Sequence, residues 1–432
     1  MNPLLLQTLS QESSIAFHTL GCKLNFSETS SISRQLLDEG YVKKDFQEAA
    51  DVYVINTCSV TENADKECKQ LIKRVKRQNP HSTIVITGCY AQLKPESIAA
   101  FEGVDLVIGA NEKFNIAKHL AEFKQNGERK ICSCDIEEVN AFHASFSLHD
   151  RTRTFLKVQD GCNYNCSFCT IPLARGHSRS DSIEGVLQNV IELANTGVQE
   201  IVLTGVNLGD FGKGLHGAKK SEESFYDLIQ ALDAQNIIPR FRISSIEPNL
   251  LTDEIIEFVA QSKSFMPHFH IPLQSGSNHL LSLMRRRYKR ELYAARIEKI
   301  KSLMPHACIG ADVIVGFPGE TDEIFQETFD FLHQLDVSYL HVFTYSERVN
   351  TSAANMDGIV PQIIRKHRNS ILRNLSEKKM HYFSESHKGE ARNVLFEQAD
   401  KNGMMEGYSD NYIKVLQPYD EDKINTIQAI EI

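Results

Sequence analysis

Short apolar runs alternate with longer amphipathic stretches through residues 1–130. Ser14 to Leu20, Val52 to Asn56, Thr83 to Thr87 and Val104 to Ile108 read as strands buried on both faces. Helical periodicity follows each, which is the βαβ pattern of a parallel sheet and predicts an N-terminal α/β sandwich. Cys22, Cys58 and Cys89 each stand just past one of the first three strands. In an open α/β sheet the carboxyl ends of the strands share one edge, so cysteines 36 and 31 positions apart can converge there.

The periodicity fades between Ile131 and Arg153, and residues 131–150 read as a linker. A second α/β pattern occupies residues 151–385, with strands expected at Phe155 to Gln159, Glu200 to Thr204, Phe241 to Ser245, His268 to Leu273, Ile309 to Val315 and Tyr339 to Thr344. Six such units predict a partial (β/α)6 barrel open on one side, although periodicity does not separate that from another parallel sheet. After Pro361 a basic helical stretch, Gln362 to His387, leads into short strand-like runs at Ala391 to Phe396, Met404 to Tyr408 and Tyr412 to Leu416. Gly403 and Gly407 punctuate them as turns or bulges would, and residues 386–432 read as a small antiparallel β-barrel of a size that binds a nucleic-acid strand.

Composition narrows the setting. With 41% hydrophobic and 24% charged residues among 432, the chain has the make-up of a globular protein of two or three domains. No apolar run approaches the roughly 18 residues of a membrane span, and Leu4, Leu5 and Leu6 are too few for a signal-peptide core, so a cytoplasmic protein with no membrane partner is expected. Ten cysteines in a reducing compartment serve as metal ligands, catalytic groups or core residues. A net charge of −9 argues against nucleic-acid binding by the whole surface but leaves local patches. Lys66, Lys69, Lys73, Arg74, Lys76 and Arg77 recur along one helix, and Arg285, Arg286, Arg287, Lys289 and Arg290 form a second cluster. Either can neutralise phosphates or be a solvated helix face.

The segment CNYNCSFC carries Cys162, Cys166 and Cys169 in a loop after a strand, where three thiolates can hold one 4Fe-4S cubane and leave one iron open to a ligand. A structural zinc loop would want a fourth His or Cys at short range, and no obvious one stands there. This CxxxCxxC spacing, with Phe168 before its last cysteine, resembles the radical S-adenosylmethionine superfamily from Thr154 to about Tyr345. In that superfamily the methionine end of S-adenosylmethionine chelates the open iron, and reductive cleavage releases a 5′-deoxyadenosyl radical. The resemblance implies cofactor-binding positions at Phe168, at Thr204, Gly205 and Asn207 in LTGVNLG, at Ser244 and Glu247 in ISSIEP, at His270 and Gln274 in HIPLQSGS, and at Gly316 and Phe317 in VIVGFPGE. Polar residues and glycines at the carboxyl ends of barrel strands are also where this architecture builds its sites.

The two triads, Cys22, Cys58, Cys89 and Cys162, Cys166, Cys169, together with the C-terminal segment, resemble the methylthiotransferase family over essentially the whole chain. That resemblance implies two 4Fe-4S clusters, one cleaving S-adenosylmethionine and one delivering sulfur, fed by an electron donor such as flavodoxin or ferredoxin and by a sulfur donor. Its substrates are a tRNA anticodon stem-loop or an aspartate of a ribosomal protein. GCKLNFSET, with Lys23 and Asn25, looks most like the branch acting on N6-threonylcarbamoyladenosine; the isopentenyladenosine branch more often shows Gln in place of Lys23. ARNVLFEQ and GYSDNYIKV look like a truncated TRAM module, which binds RNA. Arg175, Arg285 and Arg286 are the expected substrate contacts, while His177 stands where the family usually carries Arg. A radical enzyme whose second cluster only relays electrons is the alternative of another class. Cys68 and Cys308 read as core thiols, and Cys132 and Cys134 as incidental surface thiols.

Overall fold

The computed structural model describes residues 13–59, 62–213, 223–399 and 402–432; Leu4, Leu5 and Leu6 lie outside them. The chain folds into two compact units. One runs through Asn140 and includes Ser145–Ser147 and Thr170–Gly176; the other comprises Ala141–Ala144, Leu148–Cys169 and His177–Ile432. Among the described residues no helix is long and apolar enough to cross a membrane.

The first unit is a six-stranded, wholly parallel sheet of β1 (Ser14–Thr19), β2 (Val42–Lys43), β3 (Val52–Thr57), β4 (Thr83–Gly88), β5 (Leu106–Ile108) and β6 (Lys130–Cys132), ordered β2-β1-β3-β4-β5-β6. Successive side chains in a strand point to opposite faces, so each central strand supplies two cores. Tyr53, Ile55, Ile84 and Ile86 pack on one face with Cys68, Leu71, Ile72 and Val75 of α2 (Glu62–Gln78). Val52, Val54 and Val85 pack on the other with Ile32 and Leu36 of α1 (Lys23–Asp38) and Ile116 and Leu120 of α5 (Ile116–Asn126). Burial on both faces is why β3 and β4 read as continuous apolar runs. Short helices α3 (Cys89–Leu93), α4 (Pro95–Ala99) and α6 (Ile171–Arg175) complete the unit.

Two edge strands escape the sequence pattern. β2 has both residues exposed and β6 two of its three, so neither shows an apolar period. β6 overturns part of the linker reading, because Lys130, Ile131 and Cys132 pair with Leu106, Val107 and Ile108.

In the second unit, β7 (Thr154–Lys157), β8 (Glu200–Thr204) and β9 (Arg240–Ile243) pair in parallel, as do β10 (His268–His270), β11 (Cys308–Val315) and β12 (Tyr339–Thr344). Parallel bridges Phe241↔Phe265 and Ser245↔His270 carry the order across. With α7 (Ile183–Asn195), α8 (Phe225–Gln235), α9 (Asp253–Gln261), α10 (Asn278–Leu283), α11 (Arg290–Leu303) and α12 (Asp322–Gln334) between them, the strands form the open (β/α)6 architecture. After the long helix α13 (Gln362–Glu385) comes an antiparallel sheet of β13 (Ala391–Ala399), β14 (Met404–Ser409), β15 (Lys414–Pro418) and β16 (Ile427–Glu431), ordered β15-β14-β13-β16. It is an open half-barrel, with a register shift between Phe396 and Ala399, and β16 is a strand that the sequence pattern had not marked. Arg240 donates to the Asn393 and Tyr408 carbonyls, and Arg242 to those of Ser409 and Asp410, so the sheet is hydrogen-bonded to β9.

Candidate active site

Cys22 caps α1, Cys58 directly follows β3, and Cys89 opens α3. Strand register explains their shared level: Thr19, Asn56, Thr87 and Ile108 lie side by side across β1, β3, β4 and β5. The three cysteines stand two or three residues beyond that line. Asn25 ties the loops of Cys22 and Cys58 together, its amide donating to the carbonyls of Leu20 at 2.8 Å and Thr57 at 3.1 Å. Gly21 (φ +102°) lets the chain pass so close to Cys58 that a Cβ would stand 2.7 Å from the Cys58 Cβ. Gly88 (φ +95°) turns the chain into α3 where a Cβ would meet the Thr57 carbonyl oxygen at 2.4 Å. Left-handed φ at such close approach is available to Gly alone.

Arg175, expected to meet substrate, is buried in this first unit: it donates to both Glu28 oxygens, at 3.0 and 3.3 Å, and to Asn25 Oδ1 at 2.6 Å. Lys113 Nζ reaches Glu28 Oε1 at 2.6 Å. Burial pushes the Cys89 thiol up, against the pull of the Arg175 and Lys113 charges. The Asn56 Oδ1, Ser59 Oγ and Thr87 Oγ1 atoms beside the cysteines are buried without a hydrogen-bond partner. Soft thiol donors at a sheet edge with unspent polar atoms around them fit an iron-sulfur group.

Cys162, Cys166 and Cys169 lie on the loop after β7. Cys162 is pushed up to about 12 by burial, with Cys169 and Cys166 adding to the rise, and its sulfur accepts from the Tyr164 N–H at 3.4 Å. Thiols that burial holds protonated become good ligands when a metal replaces the proton. Arg286 donates to Cys166 Sγ at 3.1 Å and also to Glu247, whose carboxyl burial raises. Arg286 therefore faces the triad instead of solvent, whereas Arg285 (φ +56°) is exposed. Among the described residues no three His, Cys, Asp or Glu close around a single metal ion; a cubane spreads its thiolates over separate irons.

The other expected cofactor positions follow strand ends. Thr204 Oγ1 donates to the Leu156 carbonyl, and Gly205 sits where a Cβ would meet Gln159 Oε1 at 2.9 Å. Asn207 donates to Asp210 while its Oδ1 is buried and unpartnered, as are Asn249 Oδ1 and Tyr345 OH. Ser244 is buried; His270 is held by Asp312 at 2.8 Å; Gln274 (φ +68°) bridges to Val313. Gly316 (φ +75°) turns the chain after β11, and the Phe168 and Phe317 rings meet edge to face at 6.4 Å. Orphaned acceptors beside a thiol triad fit a polar cofactor. Sequence reading missed Glu28 and Lys113, and also Tyr164, Asn249 and Asp312, since single polar residues in loops and strand interiors carry no periodic signal.

The basic α2 is partly spent on its own unit: Lys69 lies over Phe101, Arg74 over Phe46, and Lys76 bonds the Ser82 carbonyl. In the second cluster Arg290 pairs with Glu327, while Arg285, Arg287 and Lys289 are exposed.

Residues 14–109 match the Uncharacterized protein family UPF0004, and residues 156–332 the Radical SAM superfamily. The chain is 40% identical to the threonylcarbamoyladenosine tRNA methylthiotransferase MtaB of Bacillus subtilis (97% of this chain, 93% of that protein) and 39% identical to the Aquifex aeolicus MtaB (93% and 96%). It is 32% identical to a tRNA-2-methylthio-N(6)-dimethylallyladenosine synthase of Clostridium botulinum (89% and 86%). The radical S-adenosylmethionine methyltransferase TsrM of Kitasatospora setae shares the fold, with a TM-score of 0.56 at 14% identity over 77% of this chain and 73% of its own. By its near-full-length likeness to these relatives and its two strand-end triads, the chain belongs to the methylthiotransferase family of radical S-adenosylmethionine enzymes.

Proposed function

We propose that this protein is a tRNA methylthiotransferase that converts N6-threonylcarbamoyladenosine beside the anticodon to its 2-methylthio derivative. The observation carrying the substrate choice is the 40% identity to MtaB, against 32% to the dimethylallyladenosine synthase. When bound, two 4Fe-4S clusters and S-adenosylmethionine supply a hydrogen abstractor, a sulfur atom and a methyl group.

Cys162, Cys166 and Cys169 would hold the first cluster and Cys22, Cys58 and Cys89 the second. Glu247, Asn207 and Ser244 would orient S-adenosylmethionine through hydrogen bonds, with Thr204, Gly205, His270, Gln274 and Gly316 shaping the strand-end backbone that would receive it. Phe168 and Phe317, packed edge to face, would form an apolar wall that keeps water out of the site. Arg286 fixes Cys166 and Glu247 relative to one another, so that ligand and cofactor contacts stay in register. Arg175 braces the loops of Cys22 and Cys58 through Asn25. Arg285, with Arg287 and Lys289, offers cations to the phosphates of a tRNA anticodon stem-loop, and the C-terminal half-barrel adds a TRAM-like RNA-binding face. A flavodoxin or ferredoxin supplies electrons, a separate donor supplies sulfur, and the reaction takes place in the cytoplasm.

Nucleosides from a strain lacking this gene, resolved by mass spectrometry, should lack the 2-methylthio form of threonylcarbamoyladenosine and accumulate the parent. An unchanged level of that nucleoside, or loss of the isopentenyladenosine derivative instead, overturns the substrate assignment.

A further inference from the structure

The carboxyl edge that carries Cys22, Cys58 and Cys89 carries a fourth strand-end cysteine. Cys132 closes β6 and lies in register with Ile108, which lies in register with Thr87. It therefore stands two strands from β4, about 10 Å away at the usual strand spacing. The segment just after Cys132 is tied to α3, the helix opened by Cys89: Gln92 Nε2 donates to the Cys134 carbonyl at 3.0 Å, and Gln92 Oε1 accepts from the Ala110 N–H at 2.7 Å.

Cys132 is not an isolated core thiol. Its Sγ lies 3.5 Å from His119 Nδ1, and His119 Nε2 lies 3.0 Å from Glu112 Oε2. A carboxylate on one ring nitrogen fixes the tautomer, since Nε2–H donates to Glu112 and leaves the Nδ1 lone pair for the thiol. Cys132 and His119 are both buried, at 8% and 5% exposed, so the pair works in a low dielectric where a thiol does not ionise unaided. Burial does push the Cys132 thiol up, with Lys130 opposing it. Glu122 stands 3.8 Å from His119 Nδ1 and adds a second carboxylate to the imidazole's surroundings. A nucleophile, a base in reach of it and a group orienting that base are the parts of an activated cysteine.

We infer that Cys132, with His119 as base and Glu112 as orienting group, is a sulfur-acceptor site that takes sulfane sulfur from a persulfide donor and holds it at the sheet edge that carries Cys22, Cys58 and Cys89. The inference rests on the proposed methylthiotransfer, which consumes one sulfur atom per product. His119 Nδ1 takes the Cys132 proton, and the thiolate attacks the outer sulfur of R–S–SH. The donor's S–S bond breaks, its inner sulfur leaves as RS⁻ and takes up the proton, and Cys132–S–SH remains. No net oxidation occurs, because Cys–SH and R–S–SH become Cys–S–SH and R–SH.

The test exposes anaerobic holoenzyme to inorganic polysulfide, quenches with an alkylating reagent and reads the mass of each cysteine peptide over time. One extra sulfur should accumulate on Cys132 and not on Cys68 or Cys308, which are wholly enclosed at 0% exposed. His119→Asn should slow this by on the order of a hundredfold, the contribution of a positioned base. Glu112→Gln, on a partly exposed side chain, should slow it less, and iron content confirms that each variant is folded. Cys132→Ser should remove the label and retain both clusters. Sulfur appearing only on Cys134, no extra sulfur on Cys132, or His119→Asn labelling at the wild-type rate would each overturn the inference. If Cys132 labels as expected but tRNA from the deletion strain is normally methylthiolated, the acceptor stands and the substrate reading fails.

Discussion

Glu28 is buried between two cations, Lys113 at 2.6 Å and Arg175 at 3.0 Å. A carboxylate so placed spares two buried charges from being left alone, and removing one member of a buried ion group costs about 3–5 kcal/mol. Glu28→Ala should therefore lower the unfolding free energy of the holoenzyme, read from denaturant titration, by that amount, whereas Lys66→Ala on the exposed face of α2 should leave it nearly unchanged. Equal loss for both would contradict the burial argument. Arg175 illustrates a limit of sequence reading at this scale: its position just after the CNYNCSFC loop suggests a substrate contact, but its hydrogen bonds are made to Asn25 and Glu28, about 150 positions earlier in the chain. Long-range pairing of single polar residues has no period for the sequence to display. Cys132 shows the same limit, since a sulfur read as a surface thiol is buried against His119.

Elements place the cysteines, and glycines place the elements. At Gly88 an added Cβ would meet backbone, the Thr57 oxygen and nitrogen at 2.4 and 2.6 Å, so no side-chain rotation relieves it. Gly88→Ala should displace α3 and Cys89 while leaving the second unit's triad in place. Iron in anaerobically reconstituted protein should then fall from about eight atoms per chain to about four, the content of a single cubane, and reductive formation of 5′-deoxyadenosine should persist. Retention of the full iron complement in Gly88→Ala would show that the tight turn does not position Cys89. The strands that lead to the cysteines were legible because they are buried on both faces, as Tyr53 and Val54 show by packing to opposite sides. Edge strands β2 and β6 were not, since two or three residues half open to water need no apolar period. β16 escaped for the same reason, with no fully buried residue among its five.

Across the second unit as a whole, the barrel and the C-terminal half-barrel are joined through a buried charge cluster. Glu200 accepts from Arg242 at 2.7 Å and lies 3.6 Å from Arg240, and both arginines continue to carbonyls of β13, β14 and the turn after β14. Burial pushes the Glu200 carboxyl up, but the Arg242 charge and hydrogen bond, with Arg153 and Arg240, outweigh it and hold the group below its usual value of 4.5. A carboxyl with a depressed folded-state pKa contributes stability that is present above 4.5 and is lost as pH falls below it through the folded value. Acid should therefore loosen the C-terminal sheet in that window, seen in the near-ultraviolet dichroism of Tyr408 and Tyr412. Glu200→Gln should be less stable at neutral pH and should lack this acid-dependent loss; a variant with the wild-type acid profile would assign the transition to other groups. Arg242→Ala should raise amide hydrogen exchange in β13 and β14 while β3 and β4 of the first unit stay protected. Uniform exchange across both units would deny this junction a local role.

By itself, the sequence determined the two α/β patterns, both cysteine triads and the family they announce, because strand burial writes a period into the chain and CxxxCxxC spacing is local. Only the tertiary structure decided which distant polar residues meet: Asn25 with the loops of Cys22 and Cys58, Arg175 with Glu28, Arg286 with Cys166 and Glu247, and His119 with Cys132. Such pairs form where strand register and loop closure bring separate segments to one edge, and an isolated polar side chain leaves no trace of its partner in the order of residues.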